Sequence, residues 1–275
     1  KSYTKKTLST AFKPSKADKE IMKDNDSDYR VLDLNNPFNN ALTSYYHKSI
    51  GGYSGVKMQR YQDLIERQIS PEMNGVIGVL QNKGRGLEAT FSGNQVLNML
   101  NTKYFIYNQG AAPLKNNFAN GNVWFVKNLK TVHSADEEMK QLGENDLKNT
   151  AVVDVEKFKV NEANFDGNGV IKQVSYKPNF LVYETESRTD QFAVFSEVFY
   201  DKGWNAYLDG KQVPYLRADY ILRAMQIPKG KHKLEFKFEP KSYFVGNTIA
   251  LLSSIMLVLL LFAAIGKSLM ERRGI

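Results

Sequence analysis

The clearest alternation of apolar and polar positions lies in the last third of the chain. His232, Leu234, Phe236 and Phe238 fall on one side of a period-two pattern and Lys233, Glu235, Lys237 and Glu239 on the other, which predicts a half-buried strand. Upstream, Trp204, Ala206 and Leu208 share a face and run into Asp209-Gly210, a dipeptide suited to the positive φ angles of a tight hairpin. A second turn is expected at Pro228-Lys229-Gly230, and two further alternating runs, 170–176 and 180–187, are broken at Lys177-Pro178-Asn179. Short strands between closely spaced turns argue for an antiparallel sandwich or jelly-roll-like domain over residues 159–242.

Residues 243–265 carry no charge at all. At 1.5 Å rise per residue such a run is long enough for a hydrocarbon core of about 30 Å, so a transmembrane helix is expected there, with 266–275 as its tail. A buried core helix of this length would show a polar face, and this one has none.

Ahead of the sandwich the pattern changes. Residues 1–28 are polar and rich in lysine, begin without Met, and read as a connecting arm that continues from an upstream part of a longer protein. Residues 29–34 read as a short buried strand ended by Asn35-Asn36-Pro37. Met58, Tyr61, Leu64, Ile65 and Gln68 recur near helical spacing, so a loop with His47, Lys48, Gly51 and Gly52 leads into an amphipathic helix. The apolar stripe of Val96, Leu97 and Leu100 precedes a strand at 103–107, and 123–126 and 151–155 supply two more strands. Ser134 with Glu137 has the spacing of a capping box for a short helix through Met139 and Leu142. Strands alternating with helices predict a small α/β domain over 29–158 and an α+β chain as a whole.

Composition removes several kinds of chemistry. The chain of 275 residues has no cysteine, which excludes disulfides and thiolate metal sites. Its net charge of +8 is spread along the sequence and suits a solvated surface near anionic lipid better than a nucleic-acid stripe. Gly51-Gly52 lacks the glycine spacing of a nucleotide loop and is as well explained as a turn. His47 has no triad partner in sequence and reads as structural or surface-exposed. Residues 164–169 (NFDGNG) imitate the start of a calcium loop, but Ser175 stands where the last acidic ligand is needed, which leaves a polar turn. No phosphate loop, triad or metal cluster marks a free-standing soluble enzyme.

In order, the Gly203-Trp204 turn, the Asp209-Gly210 hairpin, the Arg217-Ala218-Asp219-Tyr220 stretch, the 228–232 turn and the terminal apolar helix resemble the C-terminal part of the YfhO family of bacterial membrane proteins. With the 45–65 and 97–106 stretches, the resemblance covers most of the chain from Tyr29 onward. Relatives commonly place Pro before the glycine where Lys202 stands here. The resemblance implies a polytopic protein of the bacterial cytoplasmic membrane, similar to glycosyltransferases that use polyprenyl-phosphate-linked sugars. It implies soluble domains on the extracytoplasmic side, an association with upstream membrane helices, and catalytic residues in those helices rather than here. It implies no cofactor in this chain and assigns any divalent metal to the membrane part.

Charge alone gives the opposite orientation. Five lysines, Lys229, Lys231, Lys233, Lys237 and Lys241, precede the apolar run and Lys267, Arg272 and Arg273 follow it, but lysines of a folded domain count little in topology.

Two functions remain open. The region either binds an envelope glycan acceptor or a polyprenyl-phosphate-linked sugar above the membrane lipid, or serves as a non-enzymatic scaffold in envelope assembly. Under the first, Trp204, Tyr207, Tyr215 and Tyr220 would face sugar rings, while Arg217, Asp219 and Arg223 would bond hydroxyls or phosphate. His47, Lys48 and Tyr53 form a second candidate group on the glycine-bearing loop. Under the second, the same aromatics simply pack.

Overall fold

The computed structural model describes residues 12–26, 28–160 and 163–273. It is α+β, with the expected sandwich and one long apolar C-terminal helix. The sandwich has two antiparallel sheets. The outer one, in the order β11-β10-β14-β8-β7, contains β7 (Val170–Lys177), β8 (Phe180–Ser187), β10 (Trp204–Leu208), β11 (Lys211–Val213) and β14 (Gly230–Phe238). The inner one, β12-β13-β9-β4, contains β4 (Val123–Val126), β9 (Gln191–Val198), β12 (Leu216–Ala218) and β13 (Leu222–Ile227).

The alternation in β14 holds at its centre: Leu234 and Phe236 are fully buried against β9 and β13, while Lys233 faces water, Glu235 and Lys237 are half-buried, and Phe238 at the strand end is exposed. Phe236, Phe195 and Tyr183 meet edge to face with centroids 5.0 to 6.1 Å apart, and each buried ring contributes roughly 2–3 kcal/mol. Asp209 (φ 49°) and Gly210 (φ 79°) close the β10–β11 hairpin in the primed-turn geometry expected of them.

The inner sheet is buried on both faces. Its second face packs on a layer built from the parallel pair β5 (Asn128–Val132) and β6 (Thr150–Asp154) and from helices. The helices are α3 (Gln59–Leu64), a π-helical turn at Ile65–Ile69, α4 (Ser70–Gln81), α5 (Leu87–Gly93), α6 (Gln95–Met99) and α7 (Ala135–Glu144). Strand β4 was expected in the α/β domain, yet it pairs with β9, Trp124 opposite Val194. The expected boundary at 158/159 therefore runs through a shared sheet, and one apolar cluster joins Leu97, Trp124, Val152, Phe192 and Leu222.

A third sheet joins β1 (Arg30–Asp33) in parallel to β2 (Thr102–Ile106), with β3 (Leu114–Lys115) antiparallel beyond it and the short helix α2 (Leu42–Tyr46) beside β1. The arm expected over 1–28 packs against this sheet where it is described. Helix α1 (Lys16–Ile21), capped reciprocally by Ser15 and Asp18, buries Ala17 and Ile21 against Tyr29, Val31 and Ile106. Asp24 reinforces the docking: Lys103 lies 2.7 Å away and Tyr104 donates to it at 2.7 Å, holding its carboxyl down at about 2. The tip of the arm, 1–11, lies outside the described residues. At α7, Ser134 accepts from the Glu137 N–H, but the Glu137 carboxylate reaches back to the His133 N–H, one residue earlier than a strict capping box requires.

Helix α8 (Lys241–Arg273) follows β14 almost at once. Within Lys241–Leu269 an 18-residue window reaches a mean hydropathy of 2.7 and has none of its residues buried in the protein, as a membrane span requires.

Candidate functional site

Two clefts adjoin at Arg30 and Val198, which line both. Arg30 opens β1, and its guanidinium is fixed by the Leu100 carbonyl (2.9 Å), the Ser196 hydroxyl (2.7 Å) and carbonyl, and the Glu197 carboxylate (3.3 Å).

The first cleft, about 420 Å3, is walled by Phe38, Tyr53 and Tyr61 and edged by the hydroxyls of Ser44, Ser49 and Ser54. Tyr61 is anchored by donating to the Ile50 carbonyl at 2.7 Å, and burial pushes its phenol up to about 12. Tyr53 is free, with 73% of its surface exposed. The floor depends on Gly51. A Cβ there would lie 2.2 Å from the Pro37 carbonyl oxygen, the same oxygen that accepts from the Gly52 N–H at 2.7 Å.

The second cleft, about 440 Å3, lies between Arg30, Glu197 and Arg223 on its polar side and Trp204, Phe238 and Met58 on its apolar side. Arg223 sits 4.1 Å from the Trp204 ring centroid and donates through Nε to the Val198 carbonyl at 3.1 Å. Phe238 pairs with Trp204 across β10 and β14, with ring centroids 5.5 Å apart.

Residues 138–250 match the family described as bacterial membrane protein YfhO. This stretch belongs to the YfhO family. No curated protein and no solved structure matches the chain. The YfhO segment starts within α7, takes in β6, β7 to β14, and ends inside α8.

Of the residues singled out from sequence in the YfhO segment, Trp204 and Arg223 come together in the second cleft. Tyr215 lies close by but points its hydroxyl at the Tyr200 and Trp204 carbonyls, at 3.3 and 3.2 Å, and packs on Phe236. Tyr207 is elsewhere, bonded to Glu239 at 2.8 Å beneath Lys237. Arg217, Asp219 and Tyr220 line neither cleft. They form a buried cluster around Glu138 of α7, whose Oε1 accepts from the Tyr220 N–H at 3.0 Å and whose Oε2 lies 3.4 Å from Arg60 and 3.6 Å from Arg217. Burial pushes the Glu138 carboxyl up despite these partners.

Of the loop residues singled out ahead of the YfhO segment, His47, Lys48 and Tyr53, Tyr53 alone lines one of the two clefts. The His47 side chain is withdrawn from solvent with Nε2 3.0 Å from Asp18, and Lys48 pairs with Asp28 at 3.0 Å while lying 3.4 Å from the Tyr176 ring centroid. Arg30, Glu197, Phe38 and Tyr61 were not legible as site residues. Each sits in an ordinary strand, turn or helix pattern, and only the pairing of distant strands assembles them. Among the described residues no group of three or more His, Asp or Glu side chains is placed to hold a metal.

Proposed function

We propose that the soluble body of this YfhO-family membrane protein is an extracytoplasmic glycan-binding region working beside the bilayer. The observation that carries this is the first cleft, where aromatic walls stand beside serine hydroxyls. Such a lining suits a pyranose ring, whose apolar face stacks on Tyr53 or Phe38 while its hydroxyls bond Ser44, Ser49 and Ser54. In this reading the region positions a glycan acceptor, and transfer from a lipid-linked sugar takes place in membrane helices of the same protein.

The test is calorimetric titration of the full chain in lipid nanodiscs with cell-envelope oligosaccharides. Saturable binding that is lost in Tyr53→Ala supports the reading. Binding that Tyr53→Ala leaves intact, or no binding to the folded protein, overturns it.

A scaffold reading has its own support in the Glu138 cluster. There the Arg217-to-Tyr220 stretch of the YfhO segment packs between layers and lines neither cleft.

A further inference from the structure

The second cleft contains a cation to which no anion is hydrogen-bonded among the described residues. Arg223 is 97% withdrawn from solvent at 3% exposure, and only its Nε is engaged by a neutral carbonyl. Its Nη1 is buried and has no hydrogen-bond partner. The one carboxylate on the cleft wall, Glu197, is held by Arg30. Arg30 and Arg223 against Glu197 leave the cleft with one net positive charge. A buried guanidinium N–H without an acceptor is costly, and in a folded protein it points to a ligand that supplies one.

The location identifies the class of ligand. Phe238 ends β14 and forms part of the cleft wall, and the membrane helix begins at Lys241. The cleft thus opens within a few residues of the bilayer surface, at the level of lipid phosphates. Its rim is apolar and open, with Met58, Tyr200 and Phe238 each more than a third exposed (39, 41 and 37%). An apolar rim around a cationic floor matches a molecule with an acyl portion next to a phosphate. A free anion would have no use for that rim.

We propose that the Arg223–Arg30 cleft binds the phosphate of a membrane lipid head group, with its rim against the glycerol and first acyl carbons. Guanidinium groups suit this task because their planar N–H forks match phosphate oxygens. The site adjoins the glycan cleft at Arg30 and Val198 but does not depend on the function proposed for it.

The experiment uses the full chain in polyoxyethylene-ether micelles, which contain neither phosphate nor sugar. Short-chain phosphatidic acid is titrated while the fluorescence of Trp204 is followed, with short-chain diacylglycerol and inorganic phosphate as parallel arms. Saturable quenching by the lipid phosphate alone is expected, weakened roughly tenfold in Arg223→Lys, which keeps charge but loses the fork. Glu197→Gln removes the negative charge from the wall and is expected to tighten binding several-fold, so a folded variant with the opposite sign guards against misfolding as the cause. Equal response to diacylglycerol overturns phosphate recognition. Inorganic phosphate binding as tightly as the lipid overturns the lipid assignment, and unchanged affinity in both variants overturns the site.

Discussion

Asp219 and Val152 are joined twice: the Asp219 N–H donates to the Val152 carbonyl at 2.8 Å, and the Val152 N–H donates to Asp219 Oδ1 at 2.8 Å. A single residue in the β12–β13 turn thus acts as a strand partner for β6 and ties the sandwich to the helical layer. Both Asp219 (φ 49°) and Tyr220 (φ 67°) are left-handed to permit it, a conformation that costs a non-glycine residue on the order of 1 kcal/mol. Asp219→Ala leaves the Val152 N–H unpaired in the core and is expected to lower stability by about 1–3 kcal/mol, whereas Asp219→Asn keeps the acceptor. Thermal or urea unfolding of the two variants checks the order.

The same group makes stability depend on pH. Burial pushes the Asp219 carboxyl up to about 8 and that of Glu72 up to about 7. Each therefore binds a proton more readily when folded, so its contribution is complete below the unfolded value near 4 and is lost as pH rises through 7 to 8. His232, raised by its hydrogen bond to Asp209, works in the same direction above its ordinary value. Asp24, held at about 2, works in the opposite direction and is lost as pH falls below about 4. The soluble body is expected to be most stable near pH 5, and Asp219→Asn to flatten the decline toward pH 8. Melting temperatures measured across pH 3–9 test both points.

Glu72 supplies a helix cap from a distance. Its two carboxylate oxygens accept the Val96 and Leu97 N–H groups at 2.9 and 2.8 Å, in the first turn of α6. Glu72→Ala strands two buried donors and is expected to cost about 2 kcal/mol, with Glu72→Gln intermediate. Hydrogen exchange at the Val96 and Leu97 amides should rise in the same order.

Strands, turns and the membrane span were legible because each depends on local pattern. The alternation of His232 to Phe238, the Asp209-Gly210 turn and the uncharged run 243–265 all form where expected. What local pattern does not carry is partnership. Residues 123–126 read correctly as a strand, but only the pairing of Trp124 with Val194 puts it in the sandwich. The 217–220 stretch looked like a ligand site because charged and aromatic residues next to a turn are equally suited to solvent and to a buried ionic cluster. In the structure the stretch packs around Glu138 of α7. Trp204 and Arg223 were picked out for chemistry that suits either a sugar or an anion, and the stacking of the guanidinium at 4.1 Å leaves the tryptophan face covered.

At the floor of the first cleft, Gly51→Ala is expected to act through the backbone. The new Cβ would overlap the Pro37 carbonyl oxygen, so the 36–38 turn must shift and the Gly52-to-Pro37 hydrogen bond must lengthen. A loss of about 1–3 kcal/mol in unfolding free energy is expected, together with weaker glycan binding if the cleft serves as proposed.

Arg60 shows how the buried cluster is balanced. Its guanidinium lies 3.4 Å from Glu138, donates to the Tyr220 carbonyl at 3.2 Å and stacks 4.4 Å from the Tyr220 ring centroid. Glu138 is fully buried, so removing one of its two arginines leaves a carboxylate whose charge is poorly compensated. Arg60→Ala is expected to cost about 2 kcal/mol, less than the loss of a fully buried pair because Arg217 remains and Arg60 is partly solvated. Glu138→Gln removes the charge while retaining an acceptor for the Tyr220 N–H. In the double variant the Arg60 substitution should therefore cost less than it does alone, by about 1 kcal/mol. Urea unfolding of the four proteins in this cycle measures that coupling. Simple additivity would mean that Arg60 acts through its contacts with Tyr220 and not through the charge of Glu138.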